Sequence, residues 1–215
     1  ADRLGFVGHL VFPKFSTASQ AGNFGKIPIE QLLQNRSTDR TAGGGYARGD
    51  WKFEPATYAT LEQGAEEPVD DREAKMYASY FDAEVVAAQR ARDIVLRNAE
   101  KRMAAKLFNA TTYTGAALTT AVGTEWSTIA TATPVSDIDA AVKKVWAGCG
   151  LWCNALIINR HVYRNLRRCA QVLDFMSNQN FQDVRPSKVT PQVLATVFDL
   201  DFVFVAGGAK NTANE

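Results

Sequence analysis

The chain has 215 residues, 46% hydrophobic and 22% charged, with 15 glycines and 7 prolines; such a composition can bury a real core, which excludes a wholly disordered polymer. Its 24 basic and 23 acidic side chains leave a formal net charge of +1, short of the basic excess expected of a protein that works mainly through phosphate contacts. No apolar run approaches the ~18 residues of a membrane span and no basic-then-apolar leader opens the chain; the three cysteines, Cys149, Cys153 and Cys169, odd in number and close together, point to a reducing compartment rather than a disulfide framework.

Residues 1–42 lack helical periodicity. Short β-leaning pieces, Leu10-Val11-Phe12 and Lys26-Ile27-Pro28-Ile29, are punctuated by Pro13, Gly22 and Gly25, which reads as an extended arm or a meandering strand pair with little core of its own. Residues 43–80 open on Gly43-Gly44-Gly45. Trp51 and Phe53 then alternate with Asp50, Lys52 and Glu54 in the period-2 pattern of a half-exposed strand, and Ala56 to Leu61 supplies a second extended piece after Pro55. The expectation is a two-stranded loop with a glycine hinge. Its base is acidic: residues 60–80 carry Glu62, Glu66, Glu67, Asp70, Asp71 and Glu73 against Arg72 and Lys75. A lone two-stranded ribbon is marginal in water, so it should lie on another surface.

Residues 81–108 give the clearest periodicity. Val85, Ala88, Ala91, Val95, Ala99, Met103 and Leu107 recur every three or four positions with no Pro or Gly between them, which predicts a helix of about 42 Å at ~1.5 Å per residue. Much of that stripe is alanine, so something flat should pack closely against it. After a small, polar stretch from Thr111 to Gly123, an α/β section follows. Ser136 and Asp139 resemble a capping box, Ile138 to Trp146 mark a helix face, and Gly148 and Gly150 end it. Ala155 to Ile158 reads as a buried strand and His161 to Cys169 as a short basic helix. Thr190-Pro191 supplies an N-cap and an N1 proline for a helix over Val193–Phe198, and Asp201–Ala206 is a further strand ending at Gly207-Gly208.

Few residues invite catalysis. The two histidines, His9 and His161, accompany no nucleophile elbow. Cys149 and Cys153 are separated by helix-breaking residues and lack neighbouring ligands. Gly43–Gly49 precedes a strand, and Ala206 to Thr212 lacks the spacing that wraps a phosphate. Arg48-Gly49-Asp50 fits a hairpin tip. No catalytic residue, cofactor or metal is therefore assigned. Residues 159–190 carry six basic side chains, Arg160, Arg164, Arg167, Arg168, Arg185 and Lys188, against Asp174 and Asp183. Arg160, Arg164, Arg167 and Arg168 form a candidate basic face. A solvated basic face is the plainer reading; the sharper one sets it against the acidic base of the loop, a pairing that favours head-to-tail contact between copies, and an enclosed nucleic acid facing it is a third. No aromatic residues interleave with it as a base-stacking platform requires.

The order of parts, an extended arm, a hinged two-stranded loop, a long helix and an α/β section, resembles the major capsid protein of tailed phages, the Hong Kong 97-type shell fold. Glu125-Trp126-Ser127 with Thr133-Pro134-Val135-Ser136-Asp137-Ile138-Asp139-Ala140-Ala141 resembles the family's approach to its first axial-domain helix. Gly150 to Ile158 and Leu166 resemble its helix-turn-strand-helix continuation, Tyr80 to Phe108 its spine, and Ala1-Asp2-Arg3 with Val11-Phe12-Pro13 the start of its arm. Family members continue with further strands that complete the axial and peripheral domains.

The resemblance implies an α+β fold with an N-terminal arm (1–42), an extended loop (43–80), a spine helix and peripheral domain (81–123) and a partial axial domain (124–215). It implies a non-enzymatic shell subunit of a virion, made in the host bacterial cytoplasm, assembling into hexamers and pentamers around double-stranded DNA contacted non-specifically, with decoration, scaffolding and portal proteins as further partners and no membrane. On it the loop lies over a neighbouring subunit through Arg48, Trp51, Phe53, Glu54, Tyr58, Glu62, Asp70 and Asp71, with Gly43, Gly44 and Gly45 as hinge, and the arm reaches along a neighbour. A nanocompartment shell enclosing protein cargo and a small α/β ligand-binding domain are the alternative readings.

Overall fold

The computed structural model describes residues 5–40, 42–50, 52–116, 118–178 and 184–208. The fold is mixed α+β and divides into two compact units, Phe15–Gln63 and the remainder of the chain.

The smaller unit is built on an antiparallel ribbon. Strand β1 (Ala21–Lys26) pairs with β2 (Glu54–Ala59) in a register running from Ala21 opposite Ala59 to Lys26 opposite Glu54. The expected loop placed both strands within 43–80. Instead β1 comes from the stretch read as arm, and residues 42–50, 52 and 53 carry no strand. The reason lies in cross-strand packing. Gly22 faces Tyr58 so closely that a Cβ there would stand 2.8 Å from the phenol oxygen, and that oxygen is 2.7 Å from Thr17 Oγ1. A glycine-containing hexapeptide makes a poor strand by propensity, yet Gly22 leaves room for the ring where a side chain would force Tyr58 to shift. Lys26-Ile27-Pro28-Ile29 is not one extended piece either: Lys26 ends β1, and Ile29 opens a one-turn helix (Ile29–Leu32). No described residue of 15–63 is buried.

The larger unit begins with a second correction. Leu10, Val11 and Phe12 do not extend as a strand; Gly8–Val11 form helix α1 (the Ile29–Leu32 turn being α2) with Phe12 as its C-cap. The segment is fixed from outside. Glu100 accepts hydrogen bonds from the backbone N–H groups of Val7 (3.0 Å) and Gly8 (2.9 Å), and Gly207 N donates to Gly5 O at 2.9 Å. Gly5 adopts a positive φ of 64°, and a Cβ on it would meet the Gly207 backbone at 3.1 Å, so this crossing requires glycine. Residues 5–14 therefore belong with the spine and the α/β section of their own chain, and only 15–42 of the expected arm join the ribbon unit.

Helix α3 (Asp71–Tyr77) is capped by the Asp70 carboxylate, which accepts from Arg72 N at 2.7 Å. Helix α4 (Ala83–Leu107, 25 residues) is the expected spine, capped by Asp82, whose side chain accepts from Glu84 N and Val85 N. It buries no residue fully, and its principal contacts in the chain are with α1 and α3.

The core lies in the α/β section. Helix α5 (Pro134–Cys149) ends as expected at Gly150, which takes a left-handed φ of 69°. Its start differs: Ser136 does not cap it. Thr133 occupies the N-cap without a side-chain bond, and Gln171 does the work instead, accepting from Val135 N at 3.0 Å while donating to Ser136 Oγ at 3.0 Å. Strand β3 (Ala155–Asn159) leads into α6 (Arg160–Leu166), α7 (Ala170–Asn178), a 3₁₀ turn (Pro186–Lys188), α8 (Pro191–Val197) and β4 (Phe202–Ala206), which pairs with β3 in parallel, Ala155 opposite Phe202. Thr190 caps α8 through Val193 N with Pro191 at N1, as the sequence predicts. Ile138, Val142, Ile158, Leu166, Val172, Met176, Leu194 and Val203 meet in one cluster.

Because Leu194 is fully buried in that cluster, Leu194→Ala should lower unfolding free energy by about 2–5 kcal/mol in urea titrations, whereas Val85→Ala, at 51% exposure on the spine, should change it by under ~0.5 kcal/mol. Glu100→Ala strips two partly buried backbone donors of their acceptor. It should accelerate hydrogen exchange at the Val7 and Gly8 amides by roughly tenfold or more while leaving the α/β core protected.

Candidate subunit interface

Of the described residues expected to make inter-subunit contacts, Arg48, Phe53, Glu54, Tyr58 and Glu62 belong to the ribbon unit, and Asp70 and Asp71 to the larger one. Arg48 is exposed, as is Phe53 at 63%; Trp51 lies outside the described residues. Glu54 opens β2 and pairs with Lys26 at 3.8 Å, an exposed contact worth little by itself. Tyr58 is half-buried within the ribbon, its ring edge-on to Phe15 at 6.2 Å and its hydroxyl bonded to Thr17. It organises the ribbon's own face. Phe15 and Leu61, each 81% exposed, Tyr46 at 76% and Phe53 leave the unit with more uncovered apolar surface than a two-stranded ribbon holds in water.

Of the three hinge glycines, Gly43 has a positive φ of 80° with open space around it, and Gly45 is likewise unobstructed. Gly44 O accepts from Arg40 Nε at 2.9 Å. Glu62, Asp70 and Asp71 are exposed, Asp70 serving as the α3 cap. Glu67 is 3.6 Å from Arg90, which takes one acid of this segment out of reach and ties it to the spine.

The basic residues lie at the carboxyl ends of β3 and β4. Arg160 and Arg164 of α6 and Arg167 at its C-cap, spaced by four and three, line a groove of about 650 Å³ with His161, Tyr163, Pro191 and Val205. Arg168 falls outside it. Arg167 is held in place: its Nε donates to Pro186 O at 2.7 Å, and its guanidinium lies 5.4 Å from the Tyr163 ring centroid. Tyr163 in turn donates to Val189 O at 2.8 Å.

Two further features were not anticipated from the sequence. An apolar groove of about 710 Å³ opens beside the spine, lined among others by Val7, Met103, Leu107, Trp126, Leu156 and Val162. At the C-terminal end of α5, Val145 (44%), Trp146 (55%), Leu151 (63%) and Trp152 (56%) stand exposed around the half-buried thiols Cys149 and Cys153. Trp146, Leu151 and Trp152 lie within seven residues around Gly148 and Gly150, a signal present in the sequence. Among the described residues no cluster of three or more His, Cys, Asp or Glu side chains could hold a metal, and no helix is long and apolar enough to cross a membrane.

No protein-family model and no curated protein matches the sequence. Among solved structures, a phage-related protein from Bordetella bronchiseptica has the same fold, with a TM-score of 0.63 at 17% identity over 97% of this chain. The chain spans 66% of that protein's length. The fold of this chain is thus one found in a phage-related protein.

Burial, then the neighbouring Cys149, pushes the Cys153 thiol above its ordinary 9.0. Cys153 should therefore react with iodoacetamide at pH 8 several-fold more slowly than a free cysteine peptide. Since the folded state holds its proton longer than the unfolded chain, its contribution to stability is intact below about pH 9 and lost as pH rises through the raised value, seen as a falling denaturation midpoint.

Proposed function

We propose that the chain is a shell subunit of a tailed phage, a major capsid protein of the Hong Kong 97 type. It would assemble into the hexamers and pentamers of an icosahedral virion around double-stranded DNA. The observation that carries this reading is the division of the fold. One α/β section contains essentially the whole buried core, while a ribbon and a 25-residue spine present large apolar side chains and bury none fully. Elements of that kind gain their stability from contacts outside themselves, and a lattice of identical subunits supplies such contacts at every position. The fold shared with a phage-related protein over 97% of the chain supports the same reading.

On this proposal the subunit performs no chemistry. The ribbon lies across a neighbour through Phe53, Arg48 and the exposed aromatic side chains. The turn at Gly43 gives it freedom to change direction, and the spine keeps its two ends at a fixed separation. Decoration, scaffolding and portal proteins are further partners implied by the shell role.

Negative-stain microscopy of the full chain with light scattering tests it. Closed shells, rings of five or six, or curved sheets are expected, and nucleic acid inside would distinguish a genome shell from a cargo compartment. Assembly should weaken between about 0.1 M and 1 M salt, as the screening length contracts from ~10 Å to ~3 Å. A monomer at high concentration across that range would overturn the reading.

A further inference from the structure

We propose that the groove of α6 is a carboxylate receptor and that its occupant is the acidic segment Glu66–Glu73 of a second copy. The inference rests on the shell reading and names one of the contacts by which copies would join.

The groove gathers Arg160, Arg164 and Arg167 with no acidic side chain in its lining. Among the described residues no ion pair reaches any of the three from the same chain. Three guanidinium groups around one groove repel each other, and an arriving anion relieves that repulsion as well as pairing with each. Arg167 is already oriented. Its Nε is spent on Pro186 O at 2.7 Å and its plane lies near Tyr163, so the terminal nitrogens are left to form the two-pronged contact that a carboxylate accepts. Arg160 lies alongside Gly207, just past the end of β4, and Val205 of β4 lines the same groove.

The complementary surface is on the same polypeptide. Glu66, Asp70, Asp71 and Glu73 are exposed on and just before the first turn of α3, whose cap and helical turn fix the spacing of the last three. Glu67 is excluded because Arg90 holds it. A nucleic-acid phosphate is the competing occupant, and two observations disfavour it: the Tyr163 face that could stack on a base is covered by Arg167, and the chain's net charge is only +1. A chain carrying both surfaces joins head to tail, the geometry that closes into rings.

A charge swap tests the pairing. Arg164→Glu, and separately Asp71→Lys with Glu73→Lys, alter exposed side chains and spare the Asp70 cap, so thermal unfolding should match wild type. Each should raise the concentration needed for assembly, read by light scattering at low salt, roughly tenfold or more. Combining them should restore most of the loss. Arg164→Gln, which removes a charge without adding one, should give a smaller loss in the same direction and guards against a misfolded reversal. If the wild type assembles and the variants assemble equally well, or the combination fails to restore assembly, the groove pairing is wrong while the shell reading stands. If the wild type is monomeric throughout, the shell reading falls and the pairing with it. If Arg164→Glu assembles normally but loses binding of a short DNA duplex that the wild type retains, the groove is a phosphate site and this proposal is overturned.

Discussion

A single carboxylate ties the N-terminal segment to the spine. Glu100, near the end of a helix that buries nothing fully, accepts the N–H groups of Val7 and Gly8; two residues earlier in the chain, Gly5 accepts from Gly207 at the end of β4. The N-terminal segment is therefore the strap between the spine and the α/β section. A carboxylate acceptor makes a stronger hydrogen bond to a backbone N–H than a neutral one does, and Phe6, just before Val7, is buried at the same crossing. Gly8 is part of the same device: a Cβ there would stand 2.5 Å from Glu100 Oε2 and 2.7 Å from Met103 Cε, so any side chain would displace the carboxylate that the strap needs.

The parts of the fold legible in the sequence are those specified locally. The spine announced itself by uninterrupted three-and-four spacing, α8 by Thr190-Pro191, and the end of α5 by Gly150, because each depends on residues within a turn or two of one another. Where distant partners decide, the sequence misled. The alternation of Trp51 and Phe53 looked like a strand, but the ladder begins at Glu54 and recruits Ala21–Lys26 across a long connection. Glycine-rich β1 is intelligible only with the Tyr58 ring in view. Ser136 and Asp139 spelled a cap that Gln171, some 35 residues later, supplies instead. Helix α7 carries its spacing only in Val172, Leu173 and Met176, a short signal set among charged residues.

The candidate surfaces divide in the same way. The sequence suggested Arg160, Arg164, Arg167 and Arg168 as one basic face; the groove brings the first three together, and Arg168 is not in its lining. The acidic segment was visible as composition, yet its internal economy was not. Asp70 is committed to a helix start and Glu67 to Arg90, which leaves fewer free carboxylates than a count of acids suggests.

This uneven distribution of burial has a consequence for how the chain folds. The α/β section closes its own cluster and so folds on the strength of its own contacts, whereas the ribbon has no buried residue with which to offset the entropy of ordering it. Phe15, Phe53 and Leu61 stay exposed on it, so anything that bound only the ordered form would stabilise it in proportion to concentration. A chain built in this way keeps its core-forming contacts within one section and leaves the order of the ribbon resting on few contacts of its own.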